Sequence, residues 1–253
     1  MTPIMEVGLT PKSTENGAMV TTKIGRSSSQ TTPTLLQIKS STRPESWAKT
    51  SVSSSMSTSR VINWADMYEM SDPLGTRALR VGVSDAWLGR TWELFVGRTS
   101  PNQPVVFHAY MGRQPMDILW SSIVHLFCVS ERVINLLKHH GATGWGTYPA
   151  EVYDRDGRLL PGYHGFSITG PNVKHDESRS EIVQKEIPWR PGKHYTVRKG
   201  FYFNEADWDG SDFFRSTGFK LVTKRVRDLL NKERIRNVCL TPLPEVELSV
   251  PSK

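Results

Sequence analysis

The stretch Asn204-Glu205-Ala206-Asp207-Trp208-Asp209-Gly210-Ser211-Asp212 sets several oxygen donors close together. A hard cation needs such oxygens to converge on one point. The spacing does not fit a calcium loop, because Gly210 comes too early after Asp207 and no Glu stands at the closing position. The same residues fit a turn held by side-chain-to-backbone bonds. They also fit a contact surface: Trp208 offers a large apolar anchor, and three carboxylates can meet a cationic partner and speed encounter. The candidate partner-binding residues are therefore Asp207, Trp208, Asp209 and Asp212. The turn role weighs more for Asp212, ahead of Phe213 and Phe214, and the binding role more for Asp207.

Other chemistry is weaker. Gly165-Phe166-Ser167-Ile168-Thr169-Gly170 misses the nucleophile elbow, since its second glycine is one residue late and no helix is expected to follow. A triad of Ser167, His164 or His175, and Asp176 can still be drawn, and it defines the alternative of a small hydrolase. His139 and His140 are adjacent, so they point to different helix faces and cannot clamp one metal ion. No glycine-rich phosphate loop is present. These patterns assign no catalytic residue, no metal and no cofactor. Cys128 and Cys239 each lie in an apolar run, as small buried hydrophobes of a reducing compartment do.

The elements that must position these residues show an internal echo. Val129-Ser130-Glu131-Arg132-Val133-Ile134-Asn135-Leu136-Leu137 returns, 93 residues later, as Val222-Thr223-Lys224-Arg225-Val226-Arg227-Asp228-Leu229-Leu230. Each reads as a strand, a hydroxyl cap and a short helix. Ser130 and Thr223 should accept the free N–H groups of the first turn. Val133, Leu136, Leu137 and His140 share one face, and Gly141 ends the helix. Val133, Leu136, Val226 and Leu229 are expected in equivalent core settings.

Alternation predicts strands at 79–83, 92–96, 105–110, 150–153, 158–160 and 163–169, with Asp154-Arg155-Asp156-Gly157 as a hairpin turn. Residues 171–197 are polar and interrupted by proline, which predicts a long irregular connection. Residues 200–203 predict a short strand. Trp145, Trp189 and Trp208 sit among polar or Gly/Pro residues, where loops are expected. The expected fold is α+β, with mainly antiparallel sheet and two similar strand-turn-helix units.

Composition divides the 253-residue chain. Residues 1–60 hold 24 Ser or Thr and one aromatic residue, Trp47. Such a segment cannot offset its chain entropy by burial and is expected to be a disordered tail. Residues 61–250 suit a single α+β domain. The tail has seven Lys or Arg against three acids, so more than half of the formal +7 charge sits there. That weakens the alternative of a nucleic-acid binder using the basic tail. No segment approaches the ~18 apolar residues that cross a bilayer. The expected placement is cytoplasmic, with no membrane partner.

The second half resembles a bacterial immunity-protein family of polymorphic toxin systems, of the eleven type, formerly catalogued as a domain of unknown function. The resemblance rests on Lys199-Gly200-Phe201-Tyr202-Phe203, Asp209-Gly210-Ser211-Asp212-Phe213-Phe214, Val222-Thr223-Lys224-Arg225-Val226 and Thr241-Pro242-Leu243. The first half is similar through Val129-Ser130-Glu131-Arg132-Val133, Tyr148-Pro149-Ala150-Glu151-Val152 and the Asp-Gly hairpin. Asp176-Glu177-Ser178-Arg179-Ser180-Glu181 looks like the family's polar connection after its central strand. Together these motifs cover roughly residues 115–245. The resemblance implies a cytoplasmic protein that binds and neutralises a cognate protein toxin without catalysis. The basic balance departs from the acidic character common among inhibitors of nucleic-acid-cleaving toxins.

Overall fold

Period-two burial organises the molecule. The computed structural model describes residues 62–250 apart from Thr76; the expected tail of residues 1–60 lies outside the described residues. One four-stranded sheet runs β12 (Phe213–Ser216), β13 (Phe219–Thr223), β1 (Met67–Ser71) and β14 (Cys239–Pro242), antiparallel throughout. Its side chains alternate between two cores. Tyr68, Met70, Phe213 and Val222 enter the larger core, and Met67, Phe214 and Leu221 enter a smaller one with Phe201, Phe203, Leu243 and Val246. A sheet covered on both faces explains why Leu221-Val222 and Phe213-Phe214 are continuously apolar.

A second antiparallel sheet runs β4 (Ile118–Trp120), β5 (Phe127–Ser130), β9 (Tyr163–Ile168) and β6 (Trp145–Tyr148). A third holds β2 (Arg80–Val83), β3 (Val105–Met111), β7 (Ala150–Tyr153) and β8 (Leu159–Leu160), and its β3–β7 pair is parallel. The β7–β8 hairpin turns where Asp154-Gly157 predicts it. Asp154 Oδ1 accepts the N–H groups of Asp156 and Arg158, and Gly157 takes φ +76°. The fold is α+β and mainly antiparallel.

Helix α2 (Glu131–His139) follows β5 directly, and helix α3 (Lys224–Lys232) follows β13 directly. The buried face of α2 is Val133, Ile134 and Leu137, and that of α3 is Val226, Leu229 and Leu230. Leu136 is only partly buried, and His140 is exposed beyond the last turn. The face is thus rotated from the expected one, because Ile134 is buried inside the core while Leu136 packs only at its margin. In α3 the matching position to Ile134 is Arg227, whose guanidinium instead lies over the Tyr68 ring, 4.7 Å from its centroid.

Four local expectations are overturned. Residues 92–96 do not form a strand: Thr91–Phe95 is a short helix, α1, that buries Leu94 and Phe95 and leaves Trp92 and Glu93 outward. Five residues are too few for periodicity to separate helix from strand. Residues 171–197 are not irregular throughout, since β10 (Glu181–Ile187) and β11 (Arg190–Lys199) form a long hairpin, extended to three strands by β15 (Glu247–Ser249). Most of the hairpin is solvated, so it carries no core-facing alternation to betray it. Residues 200–203 form no strand beyond an isolated bridge from Phe203 to His175. Trp145, expected in a loop, starts β6 and donates its indole N–H to the Ala142 carbonyl.

Truncating Leu137 or Leu230 to Ala should each cost about 2–5 kcal/mol, the range for a fully buried leucine. Leu136→Ala should cost clearly less. Urea unfolding of the three variants checks this, and an equal loss at Leu136 would disprove the rotated face.

Candidate functional site

The expected partner-binding loop divides in two. Asp212 is buried and accepts four donors: the Thr143 N–H at 3.0 Å, the Thr143 hydroxyl, the Thr223 hydroxyl at 3.0 Å and the Arg225 guanidinium at 2.7 Å. Asp209 Oδ1 accepts the N–H and hydroxyl of Ser211, which closes the turn. Trp208 is half-buried; its indole N–H donates to the Ser211 carbonyl, and its ring lies against Phe214. Asp207 is exposed at the end of a 3-10 turn, Glu205–Asp207, which Asn204 caps through the Ala206 N–H.

The partners of Asp212 explain what the hydroxyl caps do. Neither Ser130 nor Thr223 bonds the first turn of its helix. Thr223 donates to Asp212, and Ser130 faces Asp117, a second buried carboxylate. A buried carboxylate needs several donors to offset its desolvation, and it recruits these hydroxyls.

Asp117 accepts the Arg132 guanidinium at 3.3 Å and the Arg236 N–H at 2.8 Å. Arg132, on α2, also donates to the Glu233 carbonyl at the end of α3. Arg225, on α3, donates to the His140 carbonyl at the end of α2. Each arginine therefore neutralises a carboxylate and caps the other helix, where free carbonyls and the helix dipole favour a cation. Arg132 and Arg225, His140 and Glu233, and Thr143 and Arg236 are each separated by 93 residues. Sequence reasoning missed Asp117 and both arginines; the signal was the recurrence of arginine two residues after Ser130 and after Thr223.

Asp207 faces an open cleft of about 1040 Å³. Asp176, Glu177 and Glu205 stand around it with Lys174, Arg179 and His175, and Phe203 contributes an apolar wall. The acids outnumber the lysine and arginine by two. Arg179 is held by aromatic faces, 4.6 Å from the Trp64 centroid and 5.1 Å from that of Tyr202. The Glu177 carboxylate pairs with Arg198 of β11 at 3.0 Å, and Ser180 donates to the Gly200 carbonyl, so the cleft adjoins the base of the β10–β11 hairpin. The tip of that hairpin presents Trp189, 78% exposed, and β10 is an edge strand.

The drawn hydrolase triad does not assemble. Ser167 is buried and donates its hydroxyl to the Leu94 carbonyl at 2.6 Å. His175 stacks on Phe201 and approaches Ser180, and Asp176 caps the short turn Glu177–Arg179 through Ser178. His164 sits on β9 opposite Val129. Cys128 is buried and Cys239 half-buried, and both are free thiols. Burial pushes the Cys128 thiol far up, which suits a packing role.

Among the described residues no group of three His, Cys, Asp or Glu side chains is placed to hold a metal ion, and no helix is long and apolar enough to cross a membrane. No protein-family model matches the chain, and no curated protein is significantly similar to it.

Asp212→Ala should destabilise by about 2–4 kcal/mol, somewhat below a fully buried pair because Arg225 is half-exposed. In a double-mutant cycle with Arg225→Ala the losses should fall short of additivity. Additive losses would mean that the pair is not coupled.

A second prediction concerns His125, whose Nε2 is buried without a partner between Trp92 and Phe95. Burial, aided by the positive charge of Lys220, holds its pKa below the ordinary value. The unfolded chain takes up the proton near pH 6.5 and the folded chain resists it. Stability should thus fall as pH drops below about 6.5, and His125→Gln should flatten that fall. An unchanged slope between neutral pH and pH ~5.5 would show that His125 is solvated.

Proposed function

We propose that this chain is a non-catalytic immunity protein that binds and neutralises a cognate bacterial toxin. The observation that carries the reading is one surface: the acid-rich cleft at Asp207, continuous through the Glu177–Arg198 pair with a projecting hairpin that ends in exposed Trp189. A charged cleft at the base of a hairpin whose tip carries an exposed aromatic suits recognition of a cationic protein surface. Asp207 supplies charge there, while Trp208, Asp209 and Asp212 act behind it by holding the loop in shape. The family resemblance adds support, since it implies the same activity from motifs that run through both halves of the domain. The engaged hydroxyl of Ser167 weighs against the hydrolase alternative.

The two strand-turn-helix units form part of the same proposal. We infer that they are two copies of one design, locked reciprocally through Arg132 and Arg225. The shared spacing of 93 residues between donors and between acceptors supports this. A lock of this kind gives a binding surface a rigid base, which lowers the entropy lost on association.

Co-expression with the toxin encoded beside this chain's gene should restore growth of a host that the toxin arrests, and the purified pair should elute as one complex. Growth arrest despite full expression would refute the reading. Within the complex, Trp189→Ala should weaken binding by about 2 kcal/mol, roughly 30-fold, while the unfolding temperature stays constant. Asp207→Lys should slow association and reduce its salt dependence. Unchanged affinity in both variants would move the interface elsewhere.

A further inference from the structure

Lys220 is a buried lysine that the binding reading does not use. It lies on β13, 6% exposed, and borders a cavity of about 510 Å³. Trp120, Phe219, Leu74 and Val124 give the cavity apolar walls, and Thr217 and Ser121 add hydroxyls. The ammonium donates to the Val124 carbonyl at 2.9 Å and lies 5.4 Å from the centroid of the Trp120 ring. No carboxylate oxygen of the described residues is within ion-pair distance of it. Glu69, on the neighbouring strand β1, acts on it only through the field.

The other charges nearby are committed elsewhere. Asp72 is held by the Arg80 guanidinium at 2.8 Å. Arg215, opposite Lys220 in the sheet, donates to the Ile168 and Gly170 carbonyls. His125, disfavoured as a cation by burial and by Lys220 itself, supplies no negative charge. A buried amine with one neutral acceptor and no carboxylate is poorly stabilised as a cation. Burial accordingly pulls Lys220 down to about 8.

We propose that Lys220 is a carbonyl-capturing amine, which condenses with a small aldehyde admitted to the cavity beside Trp120 and Phe219. The neutral amine can keep one N–H on the Val124 carbonyl and direct its lone pair toward the cavity. That pair attacks the carbonyl carbon, the C–N bond forms, and the oxygen gains a proton as nitrogen loses one. The nitrogen pair of the resulting carbinolamine closes the C=N bond as the C–O bond breaks, and the remaining N–H proton joins the departing hydroxide as water. One aldehyde enters, one water leaves, and the product is an imine. The apolar faces of Trp120 and Phe219 favour the carbon skeleton of the aldehyde, and the burial of Lys220 limits the water that reaches the imine.

Reactivity of each lysine in the native full chain tests this without a variant. The protein is treated with propanal and sodium cyanoborohydride at pH ~8, and the alkylation of every lysine is followed by peptide mass spectrometry. An ordinary lysine near pKa ~10.4 is neutral to about 0.4% there, against about half for Lys220. Even with restricted access, Lys220 should react more than ~10-fold faster than any other lysine. Its rate should level off above pH ~8, while the others keep rising. Unfolding the chain in guanidinium chloride should abolish the preference. Labelling of Lys220 no faster than the rest overturns the proposal, as does a preference that survives unfolding.

Discussion

Two carboxylates inside the protein, Asp117 and Asp212, set the terms for everything around them. A carboxylate removed from water costs several kcal/mol unless donors surround it. Each is met by an arginine, a backbone N–H and a hydroxyl. The arginine of each site comes from the first turn of one helix and reaches the last carbonyls of the other. Neither helix, at nine residues, would persist alone. Their ends are satisfied by one another, and their apolar faces by the sheets that precede them. Loss of Arg225 would leave buried Asp212 without its cation and the end of α2 without its cap.

That arrangement places the irregular chain at the surface. The backbone after α2 must turn sharply to bring the Thr143 N–H to Asp212. Gly144 makes the turn at φ +79°, where a Cβ would lie 2.0 Å from the Phe213 carbonyl oxygen. The loop before β12 is then fixed at both ends, by Asn204 at its start and Asp212 at its finish. Asp207 is held outward between them. The hairpin of β10 and β11 has a different origin. Only Val197 of its seventeen residues is buried, so cross-strand hydrogen bonds and the Lys185–Glu247 and Arg198–Glu177 pairs hold it.

Much of this was legible in the residues. Val129-Ser130 and Val222-Thr223 marked the starts of both helices, and Asp154-Gly157 marked a hairpin that forms as read. The core strands β3, β5, β9 and β13 follow from apolar runs. Three features were not legible, each for a physical reason. Trp92–Val96 is too short for its period to distinguish helix from strand. The 181–199 hairpin has no buried face, hence no pattern. The helix face turns on Ile134 rather than Leu136, because the angle at which α2 meets its sheet decides which neighbour is covered.

The sequence by itself determined the class of fold, the positions of α2 and α3 and the Asp-Gly turn, because these depend on local periodicity and on backbone freedom at single residues. It also exposed a spacing of 93 residues without indicating its use. Only the tertiary structure decided that Asp212 faces inward and Asp207 outward, although they lie five residues apart in one acidic loop. It likewise decided that Ser130 and Thr223 serve carboxylates rather than helix ends, and that Lys220 lies against Trp120. Burial and charge pairing depend on which distant segments meet. A carboxylate, a hydroxyl or an amine carries no mark in the chain of the partner that folding will bring to it.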